Sequence, residues 1–509
     1  MSEQPASDVP RAGGERRGWL HWIDQRLPVS DAWRKHFTEY RVPRNLNFWY
    51  VFGSLALLVL VIQYVSGIFL TMHYKPDAQQ AFDSVDRIMR DVRWGWLLRY
   101  VHSTGASLFF VVLYLHIFRG LIYGSYRQPR ELVWLVGCFT FLCIMAEAFF
   151  GYLLPWGQMS YWGAQVIVNL FSAIPGVGAD LALWIRGDNV ISDITLNRFF
   201  ALHVVALPLI LLVVVVLHMR TLRHVGSSNP DGIDIGSVRD LAAVSATHLV
   251  SGGGGGGRDL GGGDDSVEHP DTLPFHPYFV VKDIFAAGIF LTLFAAIVFF
   301  APTMGGFFLE PDNFIPANPL VTPNEIAPVW YFMPFYSMLR AATSDFKIVL
   351  MVIAGIWGLH GCLLARGRKR SRGGRMAYAV VALLLVLAMA LTDAKLWGVV
   401  LMLGGVIVLF FLPWLDRCAV RSIRYRPSGQ RVMYGVLVVA FVVLGIAGAH
   451  ATNAATMVVT QVCTVLYFGF FLGMPWWSAM GRCLPEPARI TMPRGGRSAR
   501  RQDAGERNA

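Results

Sequence analysis

Two apolar stretches, each long enough to cross a bilayer, carry two histidines apiece: His102 and His116 on the first, His203 and His218 on the second. A hydrocarbon interior tolerates such side chains only when they have partners. Fourteen residues separate the first pair and fifteen the second. At a helical rise of about 1.5 Å per residue, each pair spreads over roughly 21–22 Å. Fourteen residues are just under four turns, so His102 and His116 share a face. Two parallel helices so marked present two facing His/His pairs, one near each membrane surface. Bis-imidazole ligation at two depths is how a bundle holds two hemes and carries electrons across a bilayer. A single intramembrane histidine is more often a satisfied polar residue, but four at matched intervals point to ligation. The interval in the second stretch overshoots a common face by about 60° on an ideal helix. Pro208 lies between His203 and His218 and removes a backbone hydrogen bond, so a π-bulge or kink is expected there.

The chain is 55% hydrophobic and 15% charged, with mean hydropathy +0.48, the composition of a polytopic membrane protein. Ten spans are expected, at 48–73, 95–123, 132–153, 198–219, 280–301, 346–365, 376–393, 395–415, 432–450 and 456–476. Residues 1–47 are polar and basic, and no signal peptide is expected. The net charge is +11, yet most of the 44 Lys and Arg fall in the N-terminus, alternate loops and the C-terminus. That is the positive-inside distribution with both termini cytoplasmic, and no nucleic-acid partner is expected. The tract RGRKRSRGGR at 366–375 fits the same pattern. The six cysteines form no CxxC pair and read as helix filler or reduced thiols. Residues 17–40 suit an amphipathic helix on the cytoplasmic surface. The glycine runs at 252–257 and 261–263 read as a flexible cytoplasmic loop. Two loops on the opposite side, 154–197 and 302–345, are long and unusually apolar, and need a covering surface or a lipophilic ligand.

Glycines echo the histidine spacing: Gly53 and Gly67 are 14 apart, as are Gly137 and Gly151. Missing side chains at those levels would let a flat macrocycle lie against the helix backbones, although close helix packing alone also favours glycine. Arg99 precedes His102 by three residues and Arg119 follows His116 by three. Each guanidinium can pair with a heme propionate about one turn outboard of its histidine. Glu147 is an intramembrane carboxylate, a functional candidate whose plainer alternative is a helix–helix hydrogen bond.

Several segments are recognisable together: RYVHSTGASLFF (99–110), YLHIFRGLIYGSY (114–126), GYLLPWGQMSYWGAQVIVNL (151–170), NRFFALH (197–203), HPYFVVKD (276–283), PVWYFMPFYSMLR (328–340) and FFLPWLD (410–416). The chain resembles the cytochrome b subunit of ubiquinol–cytochrome c oxidoreductases, in a bacterial form with an added transmembrane hairpin. The resemblance implies an all-α, polytopic membrane helical bundle of about ten transmembrane helices with a di-heme four-helix core. It implies two non-covalent b-type hemes. The low-potential one lies between His102 and His203 near the periplasm, and the high-potential one between His116 and His218 near the cytoplasm. A quinol-oxidising pocket would be built from Tyr152, Gly163, Ala164, Pro328, Trp330, Tyr331 and Tyr336. A quinone-reducing pocket on the other side would use Ser227, Lys282 and Asp283. Ubiquinol would give one electron to a Rieske iron–sulfur protein and one through the hemes to quinone, with protons leaving on the periplasmic side. A membrane-anchored c-type cytochrome, membrane lipid and a second copy in a homodimeric complex are the other implied partners, in a bacterial inner membrane. The expected divisions are 1–47, a di-heme domain at 48–230, the glycine-rich loop at 231–275, a second domain at 276–345 and 394–480 interrupted by the hairpin at 346–393, and a basic tail at 481–509.

Two departures matter. The family's Pro-Glu-Trp-Tyr is here Pro328-Val329-Trp330-Tyr331, so a carboxylate credited with accepting a quinol proton is missing. Glu325 is favoured as its replacement, with Glu147 and the Tyr152 hydroxyl as alternatives. In LRHVGSSNP (222–230) the family's quinone-contacting histidine aligns with Arg223, and His224 comes one place late. A transporter with His and Glu proton relays is a rival reading. So is a di-heme anchor for another oxidoreductase, against which the 328–340 segment speaks. The related photosynthetic complex normally divides this sequence between two polypeptides.

Overall fold

A computed structural model describes residues 19–34, 38–235, 271–367, 372–487 and 489–491. The glycine runs at 252–263 and part of the 366–375 tract lie outside the described residues. Nine of the described helices are long and apolar enough to cross a membrane, and Ala379–Leu391 is a shorter apolar helical run. The chain is a multi-pass membrane protein whose long apolar helices leave many aliphatic and aromatic side chains exposed for lipid.

The first half is built on four helices, named here α1 (Val51–Thr71), α2 (Gly95–Tyr123), α3 (Glu131–Leu153) and α4 (Leu207–Val225). α1 packs along α2, and α3 along α4. A π-helical turn over Leu202–Ala206 leads into α4, closed by the Leu207 N–H on the Leu202 carbonyl. The bulge expected near Pro208 is therefore present, and it absorbs the residue by which fifteen exceeds the helical repeat. α5 (Val280–Phe300) packs against α1 and α2.

The second half gathers α6 (Met333–Ala341), α7 (Ala394–Leu415), α8 (Ser428–Gly448) and α9 (Ala454–Trp477) around Phe335, Met338, Leu412 and Phe470. Residues 344–367 and 372–391 are two helices packed on each other where the transmembrane hairpin is expected, and of the two only the first is long and apolar enough, among the described residues, to count as a span. At the bundle end that carries the N-terminal segment, Asp416 and Arg426 form a buried ion pair. Tyr126 donates to the same Asp416 carboxylate at 2.6 Å. Buried Asp231 accepts from Asn45, Arg424, Tyr425 and Thr491, and so joins four distant stretches of chain.

The amphipathic segment at 17–40 differs from expectation. It is two short helices, Trp19–Asp24 and Val29–Trp33, because Pro28 cannot continue the first. The apolar loops find in each other part of the covering surface they need, both folding into short helices. Gln158 N–H donates to Ile315 O at 2.9 Å, Ser160 N–H to Asn313 Oδ1 at 2.8 Å, and Trp162 Nε1–H to Asn318 O at 3.2 Å.

Candidate functional site

α2 and α4 run in the same direction, so His102 meets His203 near the loop face of the bundle and His116 meets His218 near the N-terminal face. The ring centres are 6.2 Å apart in the first pair and 6.4 Å in the second, with interplanar angles of 88° and 70°. Two imidazole nitrogens each about 2 Å from a metal, with about 1.1 Å more from nitrogen to ring centre, span about 6.2 Å. Both gaps fit one iron with two axial histidines.

The free ring nitrogens decide which atoms face that gap. Ser66 Oγ–H donates to Ile62 O at 2.6 Å, so its oxygen is left to accept from His102 Nδ1–H at 2.9 Å. His203 Nδ1–H donates to the Glu147 carbonyl at 2.9 Å. In the first pair this leaves Nε2 on each ring free to ligate a metal. His116 Nδ1 and His218 Nδ1 have no side-chain partner among the described residues.

Each spaced glycine lies against one of these histidines. A β-carbon on Gly53 would sit 3.3 Å from His116, one on Gly67 3.3 Å from His102, and one on Gly137 3.2 Å from His218. On Gly151 it would collide with the His203 ring. The close approach of ring and backbone thus accounts for the glycines through the histidines themselves, whereas their interval alone suggests room for a macrocycle. No carboxylate among the described residues pairs with Arg99 or Arg119. Arg119 Nη2 reaches only Ser228 Oγ at 3.4 Å, and its buried Nε has no partner. Two guanidiniums without a counter-ion in an apolar bundle suit an anionic group such as a propionate.

A cavity of about 470 Å³ runs from the first histidine pair to the loop face, past Glu147, Tyr152, Val329 and Tyr331. Tyr331 stacks on Phe110 with ring centres 3.9 Å apart, and Trp330 Nε1–H donates to Ser107 Oγ at 3.2 Å. Pro328 is buried beside them, and Gly163 faces the Tyr152 ring. Ala164 belongs instead to the core of the 154–197 loop, with Leu153 and Phe199. Tyr336 Oη–H donates to Ile326 O at 3.0 Å, and Glu325 is exposed near it.

Sequence reasoning passed over Glu310. Its carboxylate accepts from Tyr152 Oη–H at 3.0 Å and from Asn313 Nδ2–H at 2.9 Å. Burial raises the Glu310 carboxyl above its ordinary range, against the lowering effect of those donors. The available signal was an acid that directly follows the apolar run Phe307-Phe308-Leu309.

Near the N-terminal face, Ser54 Oγ–H donates to Asp283 at 3.1 Å, and Tyr50 bonds to the same carboxyl. Lys282 lies over the Tyr278 ring at 4.3 Å. Ser227 and Tyr40 share a hydroxyl contact of 3.3 Å, with the Arg223 guanidinium 5.9 Å from the Tyr40 ring, while His224 is exposed.

Comparison with known proteins gives a consistent set of likenesses. Residues 37–226 match the family profile Cytochrome b/b6/petB, and residues 316–394 and 389–468 match Cytochrome b(C-terminal)/b6/petD. A cytochrome b of Allochromatium vinosum is 49% identical over 473 residues, covering 93% of this chain and 98% of that one. A cytochrome b of Rhodospirillum rubrum is 42% identical, covering 93% and 96%. A solved hyperthermophilic respiratory Complex III has a chain 33% identical with TM-score 0.69, covering 90% of this chain and 98% of its own.

Proposed function

The chain belongs to the cytochrome b family, and from that premise we propose that it is the quinol-oxidising, quinone-reducing subunit of a ubiquinol–cytochrome c reductase. The observation that carries the proposal is the pair of facing histidine sets, joined on one side to a cavity lined by Tyr152 and Tyr331. The N-terminal face is taken as cytoplasmic from the distribution of Lys and Arg, and the loop face as periplasmic, in a bacterial inner membrane.

His102 with His203, and His116 with His218, would hold two b-type hemes, and the propionates would rest on Arg99 and Arg119. When bound, these hemes supply one-electron transfer between the two faces. The protein's own task at the periplasmic face is to admit quinol, exclude water and accept protons. Tyr331, Trp330 and Pro328 shape the pocket, and stacking on Phe110 fixes Tyr331. Tyr152 and Glu310 receive a proton inside the pocket, and Glu325 beside Tyr336 hands protons to water at its rim. At the cytoplasmic face, Asp283 supplies protons to quinone, oriented by Ser54 and Tyr50, with Lys282, Ser227 and either Arg223 or His224 as further contacts. A Rieske iron–sulfur protein would take the other electron at the loop face, and a membrane-anchored c-type cytochrome would follow it. The working complex would be a homodimer.

The test is reconstitution of the purified complex in vesicles, with a soluble quinol analogue as donor and cytochrome c as acceptor. Cytochrome c reduction with proton release on the loop-face side is expected. A complex that carries heme but reduces no cytochrome c would favour a di-heme anchor for another oxidoreductase.

A further inference from the structure

Two of the six cysteines meet at the N-terminal face of the bundle. Cys418 follows the end of α7 by three residues, and Cys483 follows the end of α9 by six. Their sulfurs are 3.4 Å apart across 65 positions of sequence. A small side-chain rotation would bring them to the bonding distance of about 2 Å. Cys418 is buried beside Val420 and Tyr425, while Cys483 is only half-buried. The chain around Cys418 is fixed: its N–H donates to Asp416 Oδ1 at 3.0 Å, and the Arg417 N–H to Ser478 Oγ at 2.9 Å. Cys138, Cys143 and Cys463 lie inside the membrane helices α3 and α9. Among the described residues no group of three or more His, Cys, Asp or Glu could hold a metal, so the pair is a dithiol and not half of a metal centre.

Cys483 opens a strap of chain that leaves α9 and crosses this face. The Leu484 N–H donates to Tyr425 O at 2.8 Å, Arg489 pairs with Asp271 at 3.1 Å, and the Thr491 N–H donates to Asp231 Oδ2 at 2.7 Å. Asp231 stands four residues beyond Ser227, and Asp271 directly precedes the strand paired with Arg41–Pro43. We propose that Cys418 and Cys483 form a redox-modification site, oxidised reversibly to a disulfide by low-molecular-weight disulfides of the glutathione class, which locks the strap onto this face. With the face cytoplasmic, as proposed above, a reducing thiol pool keeps the pair as thiols at rest. The half-buried Cys483 attacks first, as a thiolate, on one sulfur of the oxidant. A mixed disulfide forms and one small thiolate leaves. Cys418 then attacks the Cys483 sulfur and displaces the second. Two protein thiols become one disulfide, the oxidant becomes two thiols, and the protons lost by the cysteines pass to them. Burial pushes the Cys418 thiol up, which keeps it from reacting first.

The experiment treats the intact purified complex with glutathione disulfide, blocks remaining thiols by alkylation and reads a non-reducing tryptic digest by mass spectrometry. Residues 418–421 joined to residues 483–489 are expected, and the joined peptide should vanish on reduction. Cys418→Ser should instead accumulate glutathione on Cys483, and Cys483→Ser should take up none at position 418. Hydrogen exchange at the Leu484 and Thr491 amides should slow severalfold when the wild type is oxidised. No joined peptide, with both cysteines alkylated or Cys483 carrying only glutathione, would overturn the site. A joined peptide with unchanged exchange would overturn the locking of the strap.

Discussion

The Tyr152 hydroxyl donates to the Glu310 carboxylate across 3.0 Å, and the side chain that follows Pro328 in this chain is valine. On the quinol-oxidising reading proposed above, this buried acid, bonded to a tyrosine that lines the cavity, is the proton acceptor that the missing glutamate would have supplied. Burial raises the Glu310 carboxyl above its ordinary range. Only the ionised form accepts a proton, so quinol oxidation should climb with pH through a pKa above that of an ordinary carboxyl. Glu310→Gln should remove this limb and slow oxidation by roughly 10²-fold, whereas Glu325→Gln, at an exposed site, should cost only a few-fold. Pre-steady-state quinol oxidation measured against pH checks this. Loss of the limb in Glu325→Gln with none in Glu310→Gln would show that the rim acid acts alone.

Asp283 should control the opposite site. Its carboxyl is held by Ser54 and Tyr50 at the first turn of α5. Asp283→Asn should slow reoxidation of the cytoplasmic-side heme by about tenfold or more and leave reduction of the periplasmic-side heme near its wild-type rate. Flash or stopped-flow spectroscopy separates the two. Slower quinol oxidation with normal reoxidation would place Asp283 elsewhere in the cycle.

Much of this site was legible because membrane helices obey few rules. Equal intervals of His102 to His116, Gly53 to Gly67 and Gly137 to Gly151 translate directly into levels along an axis. The one irregular interval, His203 to His218, required a bulge, and the π-turn at Leu202–Ala206 supplies it. Glu310 escaped notice because its meaning lies in a contact with Tyr152, 158 positions away in sequence, that no spacing rule encodes. Glu147 was visible as an acid in a span, but its proximity to His203 depends on how α3 packs on the bulged turn. Pro28 was passed over in the amphipathic pattern, where its effect is local and strict.

Asp416 and Arg426 are both fully buried, and removing one leaves the other as an uncompensated charge. Asp416→Ala should destabilise the protein by about 3–5 kcal/mol. Burial works to raise the Asp416 carboxyl, but Arg426 and Tyr126 outweigh it and hold the group below its usual range. Its contribution is therefore full above the ordinary aspartate pKa and is lost as pH falls through the lowered value. Thermal unfolding in detergent at several pH values should show the mutant–wild type gap close at low pH. A constant gap would mean that packing rather than charge sets the loss.

The most direct measurement is the heme content and redox titration of the purified complex, wild type and His102→Ala. Two b hemes per chain with two resolvable one-electron transitions are predicted for the wild type. The His102→Ala protein should retain only the higher-potential transition, since a bis-histidine iron needs both axial bonds. An unchanged pair of transitions in His102→Ala, or a wild-type protein with a single b heme, would contradict the account.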